Sequence, residues 1–264
     1  MEAQFEKQTF RGRLLGMFKV DFRRMFTMPL VYIMAGVSLA LPILFLAMTS
    51  FMGGATADPT TGAETATEGF TNAWQAIGSL SGTGMSMDLT GMCNMNMLFF
   101  LIPVFVCIFV ADDFKSGYAK NLFAVRAKKL DYVISKSVVC YVGGVIMALC
   151  FFIGVLIGSG IAGLPFDTTG FGAGGVAACL FSKIFMTAIF VAVPLILAVV
   201  AKQKLWISIL GSLAAGMLLY TMIPMIAPLD AGFLNVIMCL AGGALFAVGA
   251  GAASNVILAK TDLV

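Results

Sequence analysis

The chain contains no histidine, and only 11% of its 264 residues are charged. Histidine is the usual metal ligand and the usual general base near neutral pH, so its absence removes most soluble-enzyme chemistries. An ordinary soluble domain carries about 25% charged residues. Here 60% of residues are hydrophobic, and too few charges remain to cover a water-facing surface. A soluble globular protein, a disordered chain and a nucleic-acid-binding domain are excluded together. The six cysteines, at 93, 107, 140, 150, 179 and 239, are scattered, and five fall in apolar runs. They read as small buried hydrophobes rather than as a disulfide framework. No GxxxxGK[ST] pattern occurs, and the Gly-rich run from Gly78 to Gly84 lacks the Lys-Ser/Thr ending of a phosphate loop. This chain therefore has no ATP site of its own.

What is present is a series of long apolar runs. A bilayer span needs about 20 mainly apolar residues, and six stretches qualify: Leu30–Met52, Met95–Ala111, Val138–Leu164, Val176–Ala201, Leu205–Ala227 and Gly232–Ala259. They do not alternate polar and apolar residues as barrel strands do. The expected fold is an all-α integral membrane protein. It has an interfacial segment at 1–29 and a six-span domain at 30–264, with an outer loop at about 53–94 and a cytoplasmic loop at about 112–136.

Orientation follows from the basic residues. Of the 16 Lys and Arg, all but Lys183 precede the first span, lie between spans two and three or four and five, or end the sixth. The opposite loops hold no base and carry Asp58, Glu64, Glu68, Asp88, Asp167 and Asp230. Both termini are expected in the cytoplasm, in a multi-pass protein of the cell membrane. Before Pro29, Leu14, Leu15, Phe18, Phe22, Met25 and Phe26 recur at helical spacing, with Arg13, Lys19, Arg23 and Arg24 on other faces. That pattern suits an amphipathic helix lying in the interface rather than a cleaved signal peptide.

Gly53–Gly69 is rich in Ala, Thr and Gly and reads as a mobile connection, whereas Phe70, Trp74 and Ile77 at i, i+4 and i+7 predict a short helix on the outer interface. Met85, Met87, Met92, Met95 and Met97 with Cys93 form a soft-ligand cluster; packing is the expected role, and no metal site is assigned. None of the six stretches contains Asp or Glu, so the carboxylate that a proton- or sodium-coupled transporter places at mid-membrane is missing. Lys183 is the single charge inside a span. Snorkelling to the interface is its simpler expectation, and lining a polar pathway is the alternative. Gly154 and Gly158, Gly211 and Ala215, and Gly243, Ala247 and Gly251 recur every four residues and mark faces where helices can touch.

The loop 112–136 is the most informative segment. Two acids open it, at Asp112 and Asp113; Tyr118, Leu122 and Val125 make an apolar stripe at i, i+4 and i+7; Arg126, Lys128 and Lys129 follow. A short amphipathic helix of this kind can lay its apolar face in a groove of a cytoplasmic partner. The alternative is a basic connector that only sets topology.

In these residues the chain resembles the permease subunits of ABC-2 type ABC transporters. Their loop between spans two and three runs acid, Gly, Lys-Asn-Leu, a small turn, a base, an aromatic, then Ser-Lys. Asp112 or Asp113, Gly117, Lys120-Asn121-Leu122, Arg126, Tyr132 and Ser135-Lys136 resemble those places. Ala124-Val125-Arg126 departs from relatives that carry Pro before the base. The long first outer loop and the short connection between spans five and six also depart from many of them. The resemblance implies an ATP-driven exporter of an amphipathic peptide, drug or lipid. It implies a separate cytoplasmic ATPase subunit holding ATP and Mg, and pairing with a second copy or a related permease in the bilayer. No catalytic residue and no cofactor are expected in this chain. The implied ATPase-docking residues are Asp113, Gly117, Tyr118, Lys120, Asn121, Leu122, Val125 and Arg126. The alternatives to this reading are a non-transporting sensor or assembly anchor, and a secondary transporter.

Overall fold

A computed structural model describes residues 10–52, 56–57, 64–65, 70–80, 93–124, 128–201, 204–220 and 222–260. The helices are α1 (Phe10–Thr27), α2 (Pro29–Met52), α3 (Leu98–Lys115), α4 (Tyr118–Ala124), α5 (Lys129–Ala162), α6 (Gly172–Ala201), α7 (Leu205–Tyr220), α8 (Ile223–Ile226) and α9 (Phe233–Lys260). Outside them are single 3-10 turns at Ala73–Ala76 and Met95–Met97, and a two-residue antiparallel ladder pairing Thr56 with Thr65. The chain is all-helical in architecture, and α2, α3, α5, α6 and α9 are long and apolar enough to cross a membrane.

Among the described residues, one end of the bundle, called here the basic end, carries Arg24, Lys115, Lys120, Lys128, Lys129 and Lys136, and the other carries the connections with Asp167 and Asp230. At the basic end α1 meets α3, and Lys129 at the start of α5 donates to the carbonyl of Leu258 near the end of α9. α3 is the most enclosed of the spanning helices, with two-thirds of its length buried. α6 and α7 pack against α3, α2 lies along α5, and α9 lies along α6. Phe99, in the first turn of α3, stacks on Phe190 of α6 with ring centroids 4.2 Å apart. α9 buries only a narrow seam, including Cys239, Gly243, Ala250, Ser254 and Leu258, and presents Leu245 and Val248 outward. Large exposed apolar side chains of this kind are what lipid-facing surfaces require.

The small residues act where backbones approach. A Cβ on Gly154 would overlap the Leu39 carbonyl oxygen and stand 2.6 Å from Pro42 Cγ, and one on Gly158 would lie 2.9 Å from Ile43 Cα. The α5 pair therefore seats α2 at its internal proline. Gly243 lets α9 approach the Phe185 carbonyl of α6. A Cβ on Gly251 would meet only Val133 Cγ1, at 4.0 Å, so the small-residue repeat of α9 is not a close approach along its whole length.

Three expectations about the elements change. The stretch Leu205–Ala227 is not one helix: α7 has 16 residues, about 24 Å against a hydrocarbon core of about 30 Å. α8 follows as a separate four-residue turn with Pro224 in its first turn, where proline cannot donate to a preceding helix. α5 begins at Lys129 rather than Val138 and runs for 34 residues, while α3 continues to Lys115. The basic loop thus shrinks to the residues around α4, and the helical segments do contain acids: Asp112 and Asp113 in α3 and Asp131 in α5. The predicted short helix around Phe70, Trp74 and Ile77 is the 3-10 turn Ala73–Ala76, capped by Asn72 with Gln75 returning to the Asn72 backbone. Phe70 and Ile77 are buried and Trp74 is half-buried against Phe166. Met95 and Cys93 are buried in packing, while Met85, Met87 and Met92 lie outside the described residues.

Candidate site at the basic end of the bundle

α1 is amphipathic, but its buried seam is not purely apolar. Met17, Asp21 and Met25, at i, i+4 and i+8, face α5 and are all buried. Phe18, Phe22 and Phe26 form a row of neighbouring rings on the adjacent face, with Leu15 and Phe26 exposed. Asp21 is 0% exposed. A lone carboxylate in such a place is expensive unless paired and hydrogen-bonded.

Its partners come from α5. Lys136 Nζ lies 2.9 Å from Asp21 Oδ1, and Ser135 Oγ donates to Asp21 Oδ2 at 2.5 Å. Lys136 is itself 0% exposed and also pairs with Asp113 of α3 at 2.7 Å. Tyr132 donates its hydroxyl to Asp113 at 2.9 Å. Arg24, at the end of α1, pairs with Asp113 at 2.5 Å and with Asp112 at 3.1 Å. The result is a ladder of alternating sign: Asp21, Lys136, Asp113, Arg24, Asp112. It fastens α1 to the ends of α3 and α5. A second tie, Arg13 to the buried Asp131 at 3.1 Å, fixes the other end of α1 on α5. The Lys136 ammonium also lies 4.3 Å from the Phe109 ring centroid, an arrangement that favours the charged form through the ring quadrupole.

α4 is attached to this ladder. Gly117, at φ +73°, makes the turn from α3 to α4, a left-handed conformation that costs glycine little and a β-branched residue much. Tyr118 then lies beneath the Arg24 guanidinium, 4.1 Å from its ring centroid. Burial alone would lower the Arg24 pKa, but Asp113 and Asp112 more than offset it, and the pKa sits above its ordinary value. The Tyr118 phenol is likewise pushed up, by burial and by the nearby Asp21 and Asp113 carboxylates. Both groups hold one protonation state across the physiological range, so the stack is a constant feature.

The predicted docking residues divide on this geometry. Asp113 is turned fully inward. Tyr118 and Leu122 are half-buried, and Leu122 and Phe123 pack against the core, with the Phe123 ring edge-on to Tyr132 at 5.4 Å. Lys120 and Asn121 are exposed. Val125 and Arg126 lie outside the described residues. The stripe on α4 therefore faces mostly into this chain, and its exposed face is polar. Asp21, Arg24, Tyr132, Ser135 and Lys136 form the inner part of the site, which the motif alone did not assemble. The available signal was Asp21, an acid set between Met17 and Met25 on the apolar face of α1.

Lys183 is at the other end and does not snorkel. Its ammonium is buried, with the residue 1% exposed. It donates to the Ile77 carbonyl and, at 2.8 Å, to Asn96 Oδ1.

α5, α6 and α9 line an apolar groove of about 400 Å³ between Tyr141, Phe185, Leu240 and the small residues Ala188, Gly243 and Ala247. A scan of protein-family models matches none to this chain, and a search of curated proteins finds no match.

Proposed function

We propose that the chain is the membrane-spanning permease subunit of an ATP-driven transporter of the ABC-2 type. It would cross the cell membrane six times, with α7 as the fifth crossing, and export an amphipathic molecule. The observation that carries this reading is α4. It is a seven-residue helix standing between two membrane-length helices at the basic end. Gly117 turns it out of α3, Lys120 and Asn121 are exposed on it, and Tyr118 locks it to a charge ladder that reaches α1, α3 and α5. A cytoplasmic ATPase bound at α4 would move those helices with it. ATP and Mg belong to that partner, and this chain contributes no catalytic residue. A second permease, identical or related, completes the path.

The test is capture of the ATPase and substrate-stimulated hydrolysis in proteoliposomes. Apolar anchors in a groove contribute about 2 kcal/mol or more, so Leu122→Asp should weaken capture at least tenfold. Leu122 also packs on its own core, so Asn121→Trp, a change on the exposed face, supplies the independent arm. It should block docking while the protein remains folded and inserted. Lys128→Gln should do much less, since exposed charge pairs contribute about 0–1 kcal/mol. Unchanged capture in both Leu122→Asp and Asn121→Trp would reduce this segment to a basic connector and favour a non-transporting anchor.

Topology is tested separately. The distribution of bases supports a cytoplasmic location for both termini. Cysteines introduced at Thr61 and Thr168 should react with an impermeant reagent added outside intact cells, and one at Gln203 should be protected. Reversed labelling would move α4 to the wrong side for any ATPase.

A further inference from the structure

The seam between α5 and α9 is closed at the basic end. Lys129 donates to the Leu258 carbonyl, and a Cβ on Gly251 would meet Val133 Cγ1 at 4.0 Å. One to two turns further along α5, at Val138 and Tyr141, the groove of about 400 Å³ opens between the two helices, and α6 lines it with the buried Val191 and Ala192. Its rim is accessible: Val138 is 40% and Leu240 50% exposed. All three helices are long and apolar enough to cross a membrane, so the rim faces a surrounding of hydrocarbon chains.

Size and charge select the occupant. The volume falls in the small-ligand range of about 300–1,000 Å³. Two turns of an α-helix about 10 Å across fill about 850 Å³, so a helix of a second copy does not fit. The lining is apolar apart from the hydroxyls of Ser137 and Tyr141, and Ser137 already donates to the Val133 carbonyl at 2.9 Å. An alkyl chain matches such a wall. Lys129 stands in the same seam, 12 residues before Tyr141, which is about 18 Å along α5. That interval is close to one leaflet of a hydrocarbon core about 30 Å thick. An ammonium has three N–H donors, and among the described residues Lys129 directs one of them to a neutral carbonyl. Lys128 beside it is exposed. The neighbouring acid, Asp131, is buried and paired with Arg13, so it leaves both ammonium charges available. Bases at the foot of membrane helices attract anionic lipid headgroups.

We infer that the α5–α9 seam is a binding site for one anionic phospholipid from the leaflet at the basic end. One acyl chain fills the groove above Val133, and Lys128 and Lys129 hold the phosphate head. The groove is open as it stands, so the chain enters without displacing any packed element. The inference does not rest on the transport reading above.

The chain's two tryptophans are Trp74 and Trp206. Replacing both by Phe, with Tyr141→Trp, leaves one reporter on the groove wall. The protein is placed in phosphatidylcholine nanodiscs without any ATPase, and its emission is followed as phosphatidylglycerol or phosphatidylcholine with brominated acyl chains is mixed in. Brominated phosphatidylglycerol should quench saturably, at a mole fraction about fivefold lower than brominated phosphatidylcholine, the gain of roughly one base at an anionic head. Lys128→Gln with Lys129→Gln should bring the two curves together. Ala244→Phe, a change at an exposed position of the lining, should fill the groove and remove most of the quenching by either lipid. The unmodified chain gives a measurement independent of the reporter: after exchange into detergent, native mass spectrometry should find one phosphatidylglycerol retained, and none once both lysines are replaced. Coincident curves for the two lipids, an unchanged preference in the double lysine variant, full quenching in Ala244→Phe, or no retained lipid on the unmodified chain would each overturn the inference. So would a reporter shielded from both lipids in a particle whose mass halves on Ala244→Phe, which would put a second copy over the groove. Because no ATPase is present, failure here is distinct from failure of the capture experiment.

Discussion

Replacing Lys136 by methionine is expected to destabilise the protein by about 3–5 kcal/mol, the range for breaking a buried ion pair from one side. The size follows from what is left behind. Asp113 keeps Arg24 at 2.5 Å and the Tyr132 hydroxyl at 2.9 Å. Asp21 keeps only the Ser135 hydroxyl, in a position with no exposure. The penalty is therefore mainly that of an unpaired Asp21 carboxylate inside the packed end of α1 and α5. The double variant Asp21→Asn with Lys136→Met removes both charges and should recover a large part of the loss. The two effects are then strongly non-additive, as expected for groups in one network. Unfolding in mixed micelles, monitored by helical signal, measures both. A Lys136→Met protein within about 0.5 kcal/mol of the parent, the range of surface changes, would show that the ladder does not hold α1. An equal loss in the double variant would show that packing of the Lys136 stem, rather than charge, does the holding.

The second large effect is expected at Gly154. Leucine there must place its Cβ into the Leu39 carbonyl and the Pro42 ring of α2. Neither neighbour can swing away, because one is backbone and the other is a ring fixed within a helix. Pro42 already denies α2 one hydrogen bond, and the close approach of α5 covers that weak point. Overpacking costs about 1–3 kcal/mol, occasionally more, and a backbone obstacle puts Gly154→Leu at or above the top of that range. Gly160 is the control on the same helix, since nothing lies within 4 Å of the position its Cβ would take. Gly160→Leu should be near neutral, with some gain in helix propensity against the loss of glycine. Comparable loss in both variants would mean that glycine is needed for bending rather than for contact with α2.

Much of the architecture was legible in the residues because bilayer constraints are local. A run of apolar residues long enough to span, the placement of bases, and the i, i+4, i+7 stripe before Pro29 can each be read without knowing what any residue touches. The runs behind α2, α3, α5, α6 and α9 were located this way, with their ends displaced. At Lys129–Lys136 the displacement is large, because charge was read as exposure. Lys136 and Asp131 are instead turned inward onto partners in α1 and α3, and the helix continues through them. The fifth run, Leu205–Ala227, failed as a single helix at Tyr220, since composition alone does not show where Pro224 and the turn before it interrupt the hydrogen bonding.

The candidate site was legible only in outline. Gly117, Tyr118, Lys120, Asn121 and Leu122 do form a short helix after a glycine turn, a local property of neighbouring residues. That Tyr118 and Leu122 turn toward their own chain depends on where Arg24 and Tyr132 arrive. Asp21, Asp113 and Lys136 are 92 and 23 residues apart along the chain, and no periodicity relates them. Charge sign, the amphipathic face of α1 and the positions of the apolar runs were determined by the sequence, because each depends on side-chain chemistry at fixed spacing. Which charges neutralise one another, which glycine is a contact, and whether Lys183 reaches water or is held beneath Ile77 were decided only by tertiary structure, because desolvation and distance exist only once helices from separate parts of the chain have packed.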